Sequence, residues 1–185
     1  MTTPLTPASG TPPHIVLVGL PGAGKSTVGP LLAEALGARF VDIDHEIERR
    51  ERMSVSEIFS TRGEAAFRAM ERIITENLAK QPGMVISAGG GWMADEANVS
   101  LLRPPARIIH LRVTVSTALS RLGDEVSRRP LLAGPAVASR FETLAAARLP
   151  LYSRADGEID TEGLTPQQVT NLGLRLASTW GWPIG

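Results

Sequence analysis

The stretch Gly19-Leu-Pro-Gly-Ala-Gly-Lys-Ser-Thr27 holds residue types and a spacing that suit one task, the binding of phosphate groups. It fits G-x-x-x-x-G-K-[ST], with Gly19, Gly24, Lys25 and Ser26 in the fixed positions. Glycines let loop N–H groups turn inward on an anion, and a helix starting at the loop adds the positive end of its dipole. Gly22, Ala23, Gly24, Lys25, Ser26 and Thr27 are therefore the candidate contacts to a nucleotide's phosphates. In such a loop the lysine reaches the β- and γ-phosphates and the Ser26 hydroxyl ligates Mg²⁺. The chain has two lysines, Lys25 and Lys80, against seventeen arginines, and one of the two stands where a compact ammonium is wanted.

Asp42 and Asp44 stand two apart at the end of a predicted strand, so persistent extended backbone would put both carboxylates on one side. Phosphoryl transfer uses one acid near the metal and one near the acceptor hydroxyl; the alternative is two solvated acids capping the next helix. Gly89, Gly90 and Gly91 either let a backbone approach a ligand and donate to it, or form a plain turn. Glu64, Arg68 and Glu71 fall at i, i+4 and i+7 on one helix face, the spacing of a surface ion-pair ladder. Arg128, Arg129 and Arg148 read from spacing alone as surface arginines. His14, His45 and His110 are scattered without metal-ligand spacing and carry no assigned role.

Alternating strands and helices must position these groups. His14 to Val18 is a short apolar, β-branched run that reads as a buried strand, and Val28, Leu31, Leu32, Ala35 and Leu36 then recur at helical spacing until Gly37. Pro30 inside that helix predicts a kink or widened turn. Arg39 to Asp42 is a second strand, followed by a helical piece from His45 to Arg52. Ser54 to Glu57 resembles a capping box opening a helix that Gly63 breaks, with Ile58 and Phe59 inward. Glu64 to Lys80 follows as a long helix with Phe67, Met70, Ile74 and Leu78 on one face. Further strands are expected at Met84–Ser87, Arg107–Leu111 and Glu158–Asp160. Helices are expected at Ala94–Leu102, Thr114–Leu122, Ala136–Arg148 and Pro166–Thr179. Gly123 to Pro135 has the mobile, polar composition of a loop over a site. This alternation gives an α/β fold with a parallel sheet, whose ligands sit outside the carboxyl ends of the strands.

Composition narrows the function classes. A chain of 185 residues suits one domain with a sizeable core, and 43% apolar with 21% charged residues is ordinary for a soluble globular protein. Zero net charge and no basic block argue against a nucleic-acid or membrane partner. Absent cysteine excludes disulfides, thiolate–zinc sites and cysteine nucleophiles. Residues 1–13, rich in Thr and Pro, are expected to be a disordered tail on a cytoplasmic protein rather than a signal peptide.

Taken together, the segments resemble the shikimate kinases, a small member of the nucleoside-monophosphate-kinase branch of P-loop folds. The resemblance runs from Ile15 to about Leu176 and rests on joint order and spacing. It includes Phe40-Val-Asp-Ile-Asp44 with Ile47-Glu48, Glu57-Ile-Phe59, Gly63-Glu64, Phe67-Arg68 and Glu71. Gly89-Gly-Gly91, Arg129-Pro-Leu-Leu132 and Arg148-x-Pro-Leu-Tyr152 complete it. It implies a three-layer P-loop NTPase fold, a five-stranded parallel sheet flanked by helices, with a mobile lid. The single kinase domain would span 14–181, with its substrate-binding region at about 42–80, its lid at about 123–135 and a C-terminal tail at 182–185.

The resemblance implies ATP- and Mg²⁺-dependent phosphorylation of the 3-hydroxyl of shikimate, a cyclohexene bearing a carboxylate and three hydroxyls, by a monomer. Asp44 would hold the hydroxyls as base or orienter, and Asp42 would hold Mg²⁺ with Ser26. Arg68 and Arg148 would clamp the carboxylate, with Glu71 orienting Arg68. Gly89, Gly90 and Gly91 would donate backbone hydrogen bonds while Phe59 and Phe67 wall the ring. Arg129 falls at the lid arginine that reaches the transferred phosphate, and Arg121 and Pro166 would sandwich the adenine. Trp92 departs from the family's small or aliphatic residue and leaves three placements open: lining the pocket, altering its size, or packing outward. The rivals are a gluconate-type kinase and a non-catalytic sensing module on the same fold. Such a module is expected to lose Lys25, Asp42 or Asp44, and all three are present.

Overall fold

Five short strands form one parallel sheet in the order β2-β3-β1-β4-β5. They are β1 (Ile15–Val18), β2 (Phe40–Asp42), β3 (Val85–Ser87), β4 (Arg107–Arg112) and β5 (Gly157–Asp160). The computed structural model describes residues 12–132 and 134–183; residues 1–11 of the expected N-terminal tail, 184–185 of the C-terminal one and Ala133 of the expected lid lie outside them. Every residue of β1 and β3 is buried, as a parallel sheet covered on both faces requires. Ile15, Val16 and Leu17 pair with Val85, Ile86 and Ser87 on one side, and β1 pairs in register with Arg107–His110 of β4 on the other.

Among the described residues seven helices connect and cover the sheet: α1 (Lys25–Ala35), α2 (Ile43–Glu51), α3 (Val55–Ala79), α4 (Glu96–Leu102), α5 (Val115–Leu122), α6 (Val137–Tyr152) and α7 (Pro166–Thr179). α1 packs on α7, α3 on α2 and α4, and α5 on α6. The chain leaves β1 for β2, returns to fill the gap with β3, and crosses to β4 on the far side of β1. That reversal opens a crevice at the carboxyl ends of β1 and β3, where a ligand of such a sheet binds. Three of the segments carrying chemistry leave strands there: the loop after β1, Asp42 at the end of β2 and the glycines after β3.

Two expectations about local geometry change. α2 starts directly at the end of β2, because the Asp42 carboxylate accepts from the His45 N–H at 3.3 Å and caps the helix. Extended backbone therefore stops at Asp42, and Asp44 lies in the first helical turn instead of two places along a strand. α1 keeps its helical backbone through Pro30, whose ring is exposed, so the expected kink does not interrupt the helix. α3 opens on the capping box formed by Ser54 and Glu57 and turns at Gly63, whose φ of 80° only glycine adopts readily. The break re-aims the second half so that Phe67, Glu71, Ile74 and Leu78 are buried. Glu71 joins that stripe, and Met70 packs half-buried against the core beside it.

Trp182 is buried and its indole N–H donates to the Pro13 carbonyl at 2.9 Å, so the two termini of the described chain are pinned together. Among the described residues no helix is long and apolar enough to cross a membrane.

Candidate active site

The loop between β1 and α1 is wound by backbone more than by side chains. Gly22 and Gly24 have φ of 78° and 96°, and Gly24 caps α1 in the left-handed region without any side-chain bond. The Lys25 ammonium folds back over the loop and donates to the carbonyls of Gly19 and Leu20 at 2.9 and 3.1 Å. Burial lowers its pKa to about 8, against the opposing pull of Asp44 and Asp42. The Ser26 hydroxyl donates to Oδ2 of Asp42 at 3.0 Å. A hydroxyl and a carboxylate thus face each other at the mouth of a phosphate cradle, oxygen donors of the kind Mg²⁺ takes alongside phosphates. Among the described residues no cluster of three His, Cys, Asp or Glu side chains gathers to hold a metal by itself.

A cavity of about 410 Å³ follows the loop, lined by Gly22, Gly24–Thr27, Asp42, Asp44, Gly89, Gly90, Arg121 and Arg129. Asp44, Gly89, Gly90 and Arg129 also line a smaller adjoining cavity of about 70 Å³, closed by Phe59, Phe67, Arg68, Glu71, Gly91, Leu132 and Arg148. Asp44 stands where the two meet. Burial, then the neighbouring Asp42, raises its carboxyl to about 6, while Lys25, Arg129 and Arg68 pull the other way. Its Oδ1 is buried with no partner among the described residues. An unpaired oxygen there is free to accept a proton-bearing group.

The three glycines after β3 form the floor of the smaller cavity, and each faces a different charged group. A Cβ on Gly89 would stand 2.9 Å from Oδ1 of Asp44 and 3.1 Å from Oε1 of Glu71. One on Gly90 would overlap Nη1 of Arg148, and one on Gly91 would stand 2.5 Å from Nη2 of Arg68. The guanidinium groups lie flat against the strand because nothing projects from it. Arg68 and Arg148, 80 positions apart in sequence, thereby reach one cavity. Arg68 also donates to Glu71 at 2.5 Å and to Glu64 at 2.9 Å, with the Phe67 ring 5.4 Å from its guanidinium carbon. Glu64, Arg68 and Glu71 are thus an ion-pair ladder that runs from the surface inward: Glu64 is exposed, Glu71 is fully buried, and burial holds the Glu71 carboxyl up at about 7 despite Arg68. Phe59 and Phe67 pack with ring centres 4.9 Å apart at the outer wall.

Not every expected contact falls on the cavity. Ala23 is buried under the loop with its N–H donating to Leu20, so its amide faces away from a ligand. Arg121 lines the phosphate cavity and donates to the carbonyl and hydroxyl of Thr161 at 2.8 and 3.0 Å, whereas Pro166 is exposed at the first turn of α7 and does not line it. The expected lid has more apolar anchorage than its composition promised: residues 123–128 form a 3₁₀ turn, and Val126 and Leu132 are buried. Trp92 lines neither cavity and does not pack outward. It is fully buried beneath the glycines, its indole donating to Thr75 at 3.0 Å. Tyr152, the chain's one tyrosine, stood in the sequence only as part of a motif; its hydroxyl donates to the Gly90 carbonyl at 3.1 Å. Its place four residues after Arg148 was the available signal, since i and i+4 share a helix face.

Comparison with known proteins agrees with this geometry. A family model described as shikimate kinase matches residues 21–176. A shikimate kinase from Thermodesulfovibrio yellowstonii is 40% identical over 156 residues, covering 84% of this chain and 90% of its own. A solved structure of shikimate kinase from Acinetobacter baumannii in complex with shikimate superposes with a TM-score of 0.87 at 33% identity, covering 94% of this chain and 97% of that one. The Aquifex aeolicus enzyme gives 0.75 at 32% identity, covering 90% and 96%. With its phosphate loop, its acid pair and its glycine-floored cavity in these positions, the chain belongs to the shikimate kinase family.

Proposed function

We propose that the two adjoining cavities divide the ATP-dependent phosphorylation of the shikimate 3-hydroxyl between them. The observation that carries this reading is that Asp44 and Arg129 line both cavities, with Lys25 in the larger one and Arg68 and Arg148 in the smaller. The larger cavity takes the nucleotide's phosphates, held by the loop amides and Lys25, with Arg121 at the edge. Ser26 and Asp42 hold Mg²⁺, which when bound screens charge on the phosphate oxygens. Arg68 and Arg148 clamp the shikimate carboxylate through guanidinium forks, and Glu71 fixes Arg68. The unpaired oxygen of Asp44 accepts the hydroxyl proton or aims it away from the attacking oxygen. Arg129 and Lys25 stabilise charge on the transferring group, where preorganised cations act most strongly.

The carboxylate clamp separates this reading from a gluconate-type kinase with an open-chain polyol acceptor. A coupled ADP-release assay over shikimate, gluconate and nucleoside monophosphates tests it. Release is expected with shikimate alone; release with gluconate and none with shikimate would overturn the assignment.

A further inference from the structure

The Arg148 residue is almost wholly buried, yet among the described residues no carboxylate side chain pairs with it as Glu64 and Glu71 pair with Arg68. Its nearest polar neighbour at the glycines is the Tyr152 hydroxyl: a Cβ on Gly90 would overlap Nη1 of Arg148 and stand 3.3 Å from that oxygen. That hydroxyl donates its proton to the Gly90 carbonyl at 3.1 Å, which leaves its lone pairs on the side of the neighbouring guanidinium. Gly90 is also the residue against which Nη1 of Arg148 lies. Arginine, tyrosine and backbone close a small ring, and its geometry depends on where the Tyr152 ring stands. Packing sets that position. The ring is 97% buried and stacks on His110 of β4, with centres 4.6 Å apart and planes at 24°. His110 is buried in turn, with Nδ1 at 2.9 Å from Oε2 of Glu158 on β5. Burial lowers its pKa, which leaves the ring neutral at pH 7, and the carboxylate partner assigns the proton to Nδ1.

We propose that Tyr152 is a positioning residue for shikimate, acting through Arg148: it holds the second arm of the carboxylate clamp at the glycine strand without adding a charge. A carboxylate in its place would compete with the substrate's own for the guanidinium; a phenol, kept neutral by burial, only aims it. This rests on the clamp reading of Arg148. The two arms of the clamp are then held differently, Arg68 by acids and Arg148 by a neutral oxygen, so Arg148 keeps the larger unspent attraction for an incoming anion.

Tyr152→Phe tests this, since it keeps the ring and the His110 stack and removes one oxygen. KM for shikimate is expected to rise about five- to thirtyfold, the range for one hydrogen bond to a charged group, with kcat and KM for ATP within about twofold. In Arg148→Lys, which cannot make the planar fork, adding Tyr152→Phe should cost little more, because the brace then has nothing to aim. Shikimate methyl ester, which lacks the negative carboxylate, should be used equally poorly by wild type and Tyr152→Phe. An unchanged KM for shikimate in Tyr152→Phe, alongside a strong loss in Arg148→Lys, would overturn the bracing role and leave the clamp standing. Full additivity of the two substitutions, or parallel losses in shikimate and ATP affinity, would also overturn it. Normal shikimate use by Arg148→Lys would overturn the clamp reading itself.

Discussion

The phosphate loop takes its groups from residues 19–27, whereas the acceptor cavity gathers Asp44, Phe67, Arg68, Gly90 and Arg148 from three helices and the strand-end after β3. In the loop the backbone is the ligand, and the sequence needs only glycines where φ is positive and one lysine to fold over them. In the acceptor cavity the backbone is the floor, and charged side chains are laid against it from several directions. A loop of the first kind is stable to changes elsewhere, because its geometry is local. The second depends on the packing of every element that contributes an arm.

Lys25→Ala gives the largest effect expected from this contrast. It removes the only side-chain cation of the loop, so kcat should fall by about 10²–10³ or more. Shikimate affinity measured without nucleotide should stay within about twofold. A parallel collapse in shikimate binding would show that the two halves are not separable.

Arg68→Ala and Arg148→Ala probe the other half. Each loses charge-assisted hydrogen bonds worth on the order of 1.5–3 kcal/mol, and more where an anion is left unpaired. We expect kcat/KM for shikimate to fall about ten- to several-hundredfold with KM for ATP nearly unchanged. Steady-state kinetics on both substrates reads the split, and equal losses on ATP would place the arginines on the nucleotide instead.

The same contrast explains what was legible in the sequence. Gly24, Lys25 and Ser26 could be read with their chemistry because spacing within one loop fixes geometry. The strand and helix order could be read as well, since apolar runs and the Gly63 break carry local signals. Arg148 could not be placed by spacing, because its neighbours in space, Gly90 and Tyr152, owe their position to α6 folding back over the end of β3. Glu71 was obscured for a related reason. An i, i+3 partner of Arg68 looks like a surface acid unless the helix beyond Gly63 is known to turn that face inward. Asp44 was expected on the correct side for an incorrect reason, with a helical turn doing what extended backbone was expected to do.

Asp44 also yields a pH-dependent prediction. Its carboxyl is raised from 3.8 to about 6, so between those values the folded protein holds a proton that the unfolded chain has released. Its contribution to stability is therefore fully present below about pH 4 and lost as pH rises through 6. His14 and His110, both lowered by burial, run the opposite way. The clean measurement is thus the difference between wild type and Asp44→Asn in ligand-free, metal-free protein. Asparagine has no charge to bury, so the variant should gain on wild type by about 1–3 kcal/mol between pH 5 and pH 8 while losing activity. Chemical denaturation at several pH values checks it. A constant difference would mean that Asp44 ionises as freely in the fold as in the unfolded chain.

Pro30→Ala is the smallest change expected and bears on the loop's independence. Proline in a helix interior costs about 3 kcal/mol relative to alanine, because the bond to the carbonyl four residues back is missing and the ring crowds that carbonyl. Here that carbonyl belongs to Ser26, one residue past the loop lysine. α1 nonetheless stays helical and packs along α7, so its surroundings have absorbed part of the cost. Proline also restricts the unfolded chain, which offsets about 0.4–1 kcal/mol. The net expectation is a gain of about 1–2 kcal/mol for Pro30→Ala, read as a melting temperature higher by about 2–8 °C. Because Pro30 is exposed and lines neither the phosphate nor the acceptor cavity, kcat and both KM values should not move. A more stable variant with lower kcat would show that the loose carbonyl at Ser26 serves turnover, and that the loop draws on the helix behind it.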